Sequence, residues 1–470
     1  LAAPLPPGAN RKLVAGLSQV VCPSPSGCVA TGVYNQAPGH NPGRILALSL
    51  RGGKWTSETT PRQMLVTALA CPSVGRCAGA AYPFGLRGEN TTYLVTQRGR
   101  TWHSSVVRLP AGEGLPFPSL AAVSCGSAGN CAAVGRYRTD KGPGGGAPVN
   151  HPLLVDERNG TWGAGIEAQL PSDAATTPDP NGWVDIRGVA SIVSCPSAGN
   201  CVAGGSYADT IDGTYRTEGW IATEQAGRWG QAVQVQLPPD ASAVNGDPAK
   251  SGTAPFFGFT GLSCPSLGNC TAVGGYEDKH DNEQGLILTE RNGVWLPGIR
   301  APLPQGAIAP VEPNAWDDPL FSISCATPSD CAATGAWVIP EHTGGFPGIY
   351  HGWLLSERQG KWRASKAVLP KKPRAGGDVF LKSTSCASPG NCSAVGWFHN
   401  GKYGLIVVER HGKWQRGIRP ALPADAAGPS KVFADLNAVS CLSASRCIVV
   451  GQYPNKSGKP RGLILSLRLR

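Results

Sequence analysis

Charge and aromatic character are both scarce in this chain of 470 residues. Asp, Glu, Lys and Arg make up 16% and Phe, Trp and Tyr 7%. Such a composition describes a quiet, neutral-polar surface rather than a solvated tail, and hydrophobic residues at 41% can fill a large core, so disorder is excluded. No apolar run approaches the roughly 18 residues that a membrane-spanning helix needs. The chain opens at Leu1 without a basic-then-apolar leader, and the expectation is a soluble, processed protein with no membrane insertion. No H-E-x-x-H metal motif occurs. Glycine (63) and proline (42), by contrast, are plentiful enough to call for many turns between short strands.

The sixteen cysteines fall into eight C-x5-C pairs: Cys22/Cys28, Cys71/Cys77, Cys125/Cys131, Cys195/Cys201, Cys264/Cys270, Cys325/Cys331, Cys386/Cys392 and Cys441/Cys447. Zinc sites would need closer pairs converging in fours or joined by histidines, so local disulfides are the better reading. Each closes so short a loop that the chain-entropy gain is only roughly 2 kcal/mol, which makes the bridges staples of local turns. Stable disulfides require an oxidising milieu and place the protein outside the cytoplasm, as a secreted chain.

Around those pairs one pattern recurs eight times. Ser194-Cys195-Pro196-Ser197-Ala198-Gly199-Asn200-Cys201 is matched almost letter for letter by Ser263-Cys264-Pro265-Ser266-Leu267-Gly268-Asn269-Cys270. Each is followed by a variable loop, an apolar run, a turn ending in tryptophan (Trp55, Trp102, Trp162, Trp229, Trp295, Trp362, Trp414) and an extended stretch. Four strands per unit of roughly 50 to 70 residues suit a propeller blade. The reading is one all-β domain over residues 1–470, an eight-bladed β-propeller with approximate blades 13–64, 65–119, 120–188, 189–258, 259–318, 319–380, 381–435 and 436–470. The eighth unit stops before its fourth strand, while Ala3-Pro4-Leu5-Pro6 repeats Ala301-Pro302-Leu303-Pro304, so residues 1–6 are expected to complete the last blade and close the ring. The C-x5-C turns and the tryptophan turns then share one face. The second-to-third loops and blade-to-blade connections vary most and share the other, where a ligand is expected.

At this point the chain resembles the secreted actinobacterial propellers built on S-C-P-S-x-G-N-C-x-A-V-G repeats, over all eight units. That resemblance implies a carbohydrate-binding module, similar to the lectin subunits of secreted antibacterial toxin particles in Streptomyces. The tryptophan turns also resemble degenerate Asp boxes of sialidases, but Arg158-Asn159-Gly160-Thr161-Trp162 lacks the aspartate, and no sialidase activity is carried over.

Two connections offer a tryptophan two residues ahead of an acid: Trp183 with Asp185 before blade 4, and Trp316 with Asp318 before blade 6, with Phe256 and Phe257 in the connection between them. Indole faces pack on sugar C–H faces while acids bind hydroxyls, so these residues suit a glycan; equally, the tryptophans could plug gaps between blades. His40, His151, His280, His342, His351 and His399 are assigned to second-to-third loops, as solvated residues or as proton-transfer or metal groups. No cofactor is expected, although the acid-rich Glu277 to Glu283 segment leaves calcium open. From Lys361 to Arg470 there are 19 Lys and Arg against four acids, net +15, whereas the remaining 360 residues hold 23 against 27. Lys371, Lys372 and Lys402 belong to variable loops of this basic sector, which would attract an anionic cell-wall polymer or other surface glycan rather than nucleic acid, for which no motif is present. Two functions follow: a lectin-like binder of anionic glycans, with other subunits of a secreted complex as candidate partners, or a polysaccharide lyase acting on acidic polysaccharide, for which no catalytic constellation can be placed.

Overall fold

The computed structural model describes the chain apart from residues 8, 10–14, 36–42, 62–63, 84–90, 111–117, 140–148, 176–187, 212–213, 243–256, 281, 308–318, 340–348, 372–376, 429–432 and 469–470, and apart from the side chains of 210, 211, 214–216 and 339. No helix occurs among the described residues. The strands form eight separate antiparallel sheets, each paired in sequence order from the first strand outwards. First strands begin at Ala15, Met64, Ser119, Gly188, Phe257, Leu320, Val379 and Asp435 and pack against those of neighbouring blades around the axis. The protein is an eight-bladed propeller.

One disulfide staples the first hairpin of every blade, and no described cysteine is free: Cys22–Cys28, Cys71–Cys77, Cys125–Cys131, Cys195–Cys201, Cys264–Cys270, Cys325–Cys331, Cys386–Cys392 and Cys441–Cys447. Besides stapling the turns, the bridges place their second sulfurs in the core. Cys28, Cys77, Cys131, Cys201, Cys270, Cys331, Cys392 and Cys447 are all buried. Each stands at or near the start of a second strand, which lies inside its sheet and is covered on both sides by the adjoining blades. Cys28 packs with Leu48 and Ile448, Cys77 with Val29 and Trp102, and Cys131 with Ala78 and Trp162. Cys331 lies 3.8 Å from Thr271 Oγ1 of the preceding blade, and Cys447 lies 3.4 Å from Ser393 Oγ, beside Cys392 in blade 7. These sulfurs are structural, closed off from any ligand.

Each letter of the repeat has a local physical task. The asparagine before the second cysteine holds the two turns of a blade together. Asn200 donates through Nδ2 to Ser197 Oγ (3.1 Å) and accepts the Ala226 amide of the outer turn (3.3 Å), while Gly227 N donates to Gly199 O (2.7 Å). Blades 3 and 5 repeat these contacts through Asn130 and Asn269. The outer turn itself needs two consecutive positive φ angles, supplied by Asn159 (49°) and Gly160 (79°) and again by Asn292 (51°) and Gly293 (81°), the conformation that matches strand twist in a two-residue hairpin. Both turns therefore share one face, as the repeat implies.

The first strands also bulge at a common level, skipping Ser18, Thr67, Ala121, Ser191, Thr260, Phe321, Lys382 and Asn437 in the pairing register. The glycine closing the A-V-G stretch lies opposite. A Cβ on Gly274 would stand 1.9 Å from Gly258 O, so only glycine fits there.

Neighbouring blades are joined by the serine that precedes each first cysteine. Its hydroxyl accepts the amide of the next blade's first cysteine: Cys195 from Ser124 (2.9 Å), Cys264 from Ser194 (3.1 Å), Cys325 from Ser263 (3.0 Å), Cys386 from Ser324 (3.0 Å), Cys441 from Ser385 (3.0 Å) and Cys22 from Ser440 (3.0 Å). The two seams without this bond follow blades whose sequence offers Val21 and Ala70 instead. Outer-strand tryptophans reach back across the same seams, with indole nitrogens of Trp102, Trp162, Trp229 and Trp414 donating to Glu58, Thr96, Asp156 and Ser356.

The ring closes between the chain's ends. Ala2 bridges Leu463, Ala3 N donates to Gly462 O (2.8 Å), Ile464 N to Leu1 O (2.9 Å), and the Leu1 amino group to Ile464 O (2.8 Å). Deleting Leu1 to Pro6 removes the three hydrogen bonds to the last strand, worth about 1 kcal/mol each, and uncovers a sheet edge. Urea denaturation of the truncated chain is expected to give a stability lower by roughly 3 kcal/mol; an unchanged midpoint would contradict this closure.

Candidate ligand-binding site

Most groups with unusual proton affinity are absorbed by the seams. On the turn face, Arg158 pairs with Glu224 of the next blade (3.2 Å), Arg291 with Glu357 (2.7 Å) and Arg358 with Glu409 (3.2 Å). Burial, reinforced by nearby Asp156, pushes the Glu224 carboxyl up to about 7 against the pull of Arg158. Burial likewise lifts Glu357 to about 7, opposed by Arg291. Glu290 is raised by burial alone, because the preceding blade places Gln225 where others carry arginine. A cavity of about 250 Å³ between blades 3 and 4 is lined by these same seam groups, including Asp156, Arg158 and Glu224.

On the opposite face, a tyrosine six residues after the second cysteine donates to an aspartate of the preceding blade's L-P-x-D turn: Tyr207 to Asp173 (3.1 Å), Tyr276 to Asp240 (2.8 Å) and Tyr453 to Asp425 (2.7 Å). Burial and these carboxylates raise all three phenols. In the acid-rich segment of blade 5, Asp278 accepts from the amides of His280 and Asn282 and from the side chains of Asn282 and Gln284, so its oxygens already face donors. No cluster of three metal-ligating side chains occurs among the described residues.

Phe380 centres the aromatic arrangement that is not absorbed in this way. Its ring lies 4.7 Å from Trp397, 4.8 Å from Tyr350 and 5.8 Å from Phe321, the last nearly parallel at 18°. All four are half-buried. Phe321 and Phe380 stand at the entrances of the first strands of blades 6 and 7, Trp397 near the end of a second strand and Tyr350 at the start of a third, so topology gathers them on the connection face. Beside Phe380 on the same strand, Lys382 meets Asp435 (2.8 Å) and Asn437 (3.4 Å) of blade 8, and Asn437 in turn donates to Leu17 O of blade 1 (2.9 Å). Tyr350 N donates to Asp378 Oδ1 (3.0 Å), which ties the third strand of blade 6 to the entrance of blade 7.

Of the residues singled out from sequence, Lys371 lies exposed in the connection between blades 6 and 7, and Lys402, in the second-to-third loop of blade 7, holds its ammonium 5.8 Å from the Tyr403 ring. Both belong to the face that carries the aromatic cluster. Trp183, Asp185, Trp316, Asp318, Phe256 and Lys372 lie outside the described residues. Phe257, read as part of a connection, opens the first strand of blade 5 and is buried edge-on against Phe259, because the strand starts as soon as its apolar side chain can enter the core. His151 and His351, assigned to loops, are strand residues: one stacks on Tyr137 and meets Glu167 (3.0 Å), the other packs on Trp337. Burial and Lys366 lower the proton affinity of His351. His40 and His342 fall outside the described residues.

The aromatic cluster was missed because its members come from four strands of two blades. A signal was present in the aligned repeats. Where blade 7 has Phe380, blades 1, 4 and 5 have Gly16, Val189 and Gly258, and where it has Trp397 they have Val33, Ser206 and Gly275, while blade 2 carries Leu65 and Tyr82 at these places.

No family model and no curated protein matches the chain. Solved structures match the chain at low identity and low structural similarity. An ulvan lyase, representing a family of polysaccharide lyases, is 10% identical with a TM-score of 0.44, over 97% of this chain and 95% of its own. The β-propeller domain of the Trilobed protease from Pyrococcus furiosus is 7% identical with a TM-score of 0.41, over 97% and 98%. A Penicillium chrysogenum α-L-arabinanase complexed with arabinobiose is 11% identical with a TM-score of 0.36, over 86% and 93%.

The raised seam carboxyls generate a pH prediction. A folded-state value near 7 against 4.5 for an ordinary glutamate means that the folded chain holds the proton more tightly. The associated stability is complete below pH 4.5 and is lost as the pH climbs through 7. Relative to the Glu224→Gln, Glu357→Gln double variant, the native chain is expected to lose on the order of 3 kcal/mol per group across that window in urea melts. Parallel curves would show that these carboxyls titrate normally.

Proposed function

We propose that the protein is a secreted, lectin-like propeller that binds surface glycans, anionic cell-wall polymers among them, and acts as the targeting subunit of a larger secreted antibacterial toxin assembly. The observation that carries the binding reading is the half-buried cluster of Phe321, Tyr350, Phe380 and Trp397 on the variable face of the most basic sector. Aromatic faces accept the C–H faces of a sugar ring, and the charged side chains around them supply fixed partners for its hydroxyls and acids. Eight disulfides, and no helix among the described residues long and apolar enough to cross a membrane, are consistent with an extracellular setting.

The lyase reading would need a base and a proton donor converging on one sugar. Tyr350 and His351 are successive residues of one strand and so point to opposite sides of the blade, with His351 turned onto Trp337. That divergence favours binding over cleavage at this face.

Binding to a bacterial glycan array and to isolated cell walls tests the reading. Phe380→Ala and Trp397→Ala are each expected to weaken binding about tenfold at every salt concentration, since a lost ring contact of about 1.4 kcal/mol is not screened. Lys371→Ala with Lys402→Ala should weaken it mainly at low salt. Normal binding by a correctly folded Phe380→Ala, Trp397→Ala double variant would place the glycan elsewhere.

A further inference from the structure

The seam between the N-terminal strand and blade 1 departs from the other seams in one chemical respect. In the blade 4–5 seam, Leu237-Pro238-Pro239-Asp240 supplies a carboxylate that accepts from the Tyr276 hydroxyl (2.8 Å) through one oxygen and faces Arg300 (3.4 Å) through the other. In the blade 7–8 seam Asp425 likewise accepts from the Tyr453 hydroxyl (2.7 Å), and Arg461 is the partner of Tyr453 in the strand register. At the closing seam the corresponding residues read Leu5-Pro6-Pro7-Gly8, with glycine in place of aspartate. Ala9 N donates to Pro6 O as Ala241 N does to Pro238 O.

Tyrosine nevertheless remains. Tyr34 holds the place of Tyr276 and Tyr453, and its register partner is Arg44, as Arg461 is that of Tyr453. Where other blades lack the aspartate they also lack an orphaned phenol: blade 6 has Trp337 there, blade 7 has Phe398, and Tyr137 of blade 3 is served by Glu167 of its own blade (3.1 Å). In blade 1 no carboxylate meets Tyr34 or Arg44 among the described residues. The chain itself contains no Asp or Glu before Glu58, so the neighbouring segments of blade 1 cannot supply one.

Tyr34 and Arg44 open into a cavity of about 370 Å³, also lined by Pro6, Pro7, Ser57, Thr59 and Pro61. Glu58 forms part of its wall, but its oxygens accept from Ser49 Oγ, Gln97 Nε2 (2.6 Å) and Trp102 Nε1 (2.7 Å), which fixes the carboxylate toward the seam. We propose that this cavity binds the carboxylate of an acidic sugar, the ligand's acid taking the place that Asp240 and Asp425 fill at other seams. A planar carboxylate satisfies a phenol and a guanidinium together. Serine and threonine hydroxyls and proline rings on the remaining walls suit the hydroxyls and C–H faces of a uronate. The site lies at the closing seam, two seams along the ring from the aromatic cluster of blades 6 and 7, shares no residue with it and stands independently of it.

Titration of the full chain with D-glucuronate, followed by calorimetry, tests the proposal, with its methyl ester and inorganic phosphate as comparisons. Glucuronate is expected to bind at least tenfold more tightly than the ester. Arg44→Gln and Tyr34→Phe should each weaken it, the former tenfold or more. Gly8→Asp, which writes the L-P-P-D turn of the blade 4–5 seam into this one, should abolish binding while keeping or raising the melting temperature. Cell-wall binding through Phe380 and Trp397 should be unaffected by Gly8→Asp, which separates failure of this site from failure of the other. Equal binding of ester and acid, or unaltered glucuronate binding by Gly8→Asp, would overturn the proposal. Phosphate binding as tight as glucuronate would overturn the assignment to a sugar acid.

Discussion

A hydroxyl that accepts the amide of the next blade's cysteine is the contact on which the ring depends. Strand pairing explains why each blade is a sheet, and isolated backbone bridges such as Thr59–Thr101, Ala174–Asp209, Ala241–Asp278 and Ala426–Asn455 join some neighbouring blades away from their first strands, so the first strands around the axis must be held side by side by other means. The serine before each first cysteine does this close to the axis, in six of the eight seams. Each such bond contributes only about 1 kcal/mol, yet leaving the amide without an acceptor in a packed seam costs more than the bond is worth. The bond from Ser440 to Cys22 belongs to the same series and joins the last blade to the first, alongside the N-terminal strand.

This arrangement divides the residues of each repeat between two tasks. Cysteine, asparagine, the turn glycines, tryptophan, and the glutamate and arginine of the outer turn all bind a blade to itself or to its neighbour. Their chemistry, including carboxyls raised by burial, is occupied by the scaffold. Ligand chemistry is then to be sought where a blade departs from the repeat: a pair of aromatic rings at places where blades 1, 4 and 5 carry glycine, valine or serine, or a tyrosine that has kept its position where the sequence has glycine in place of the aspartate.

Local regularities made the architecture legible. The C-x5-C spacing states a stapled hairpin, the repeated tryptophan turn states an outer hairpin on the same face, and the echo of Ala301-Pro302-Leu303-Pro304 in Ala3-Pro4-Leu5-Pro6 states the closure. Spacing does not reveal that the second cysteine of each pair, such as Cys28 or Cys447, is packed into the core, since that burial comes from the adjoining blades. The aromatic cluster was not legible either, because Phe321, Tyr350, Phe380 and Trp397 are spread over 77 positions of sequence and meet only when two blades pack. His151 and His351 were misplaced because third strands begin earlier than their glycine-rich approaches suggest, and pairing with the second strand, not local propensity, sets that boundary. Trp183 and Trp316, the most conspicuous sequence candidates, lie outside the described residues.

Native-state hydrogen exchange read at the backbone amides of the first cysteines tests the central claim most directly. If the serine hydroxyls hold the seams, the amides of Cys22, Cys195, Cys264, Cys325, Cys386 and Cys441 exchange only through the largest opening of the ring, and those of Cys71 and Cys125, which face Val21 and Ala70, exchange faster. Equal protection at all eight, or a Cys22 amide as labile as that of Cys71, would contradict the account.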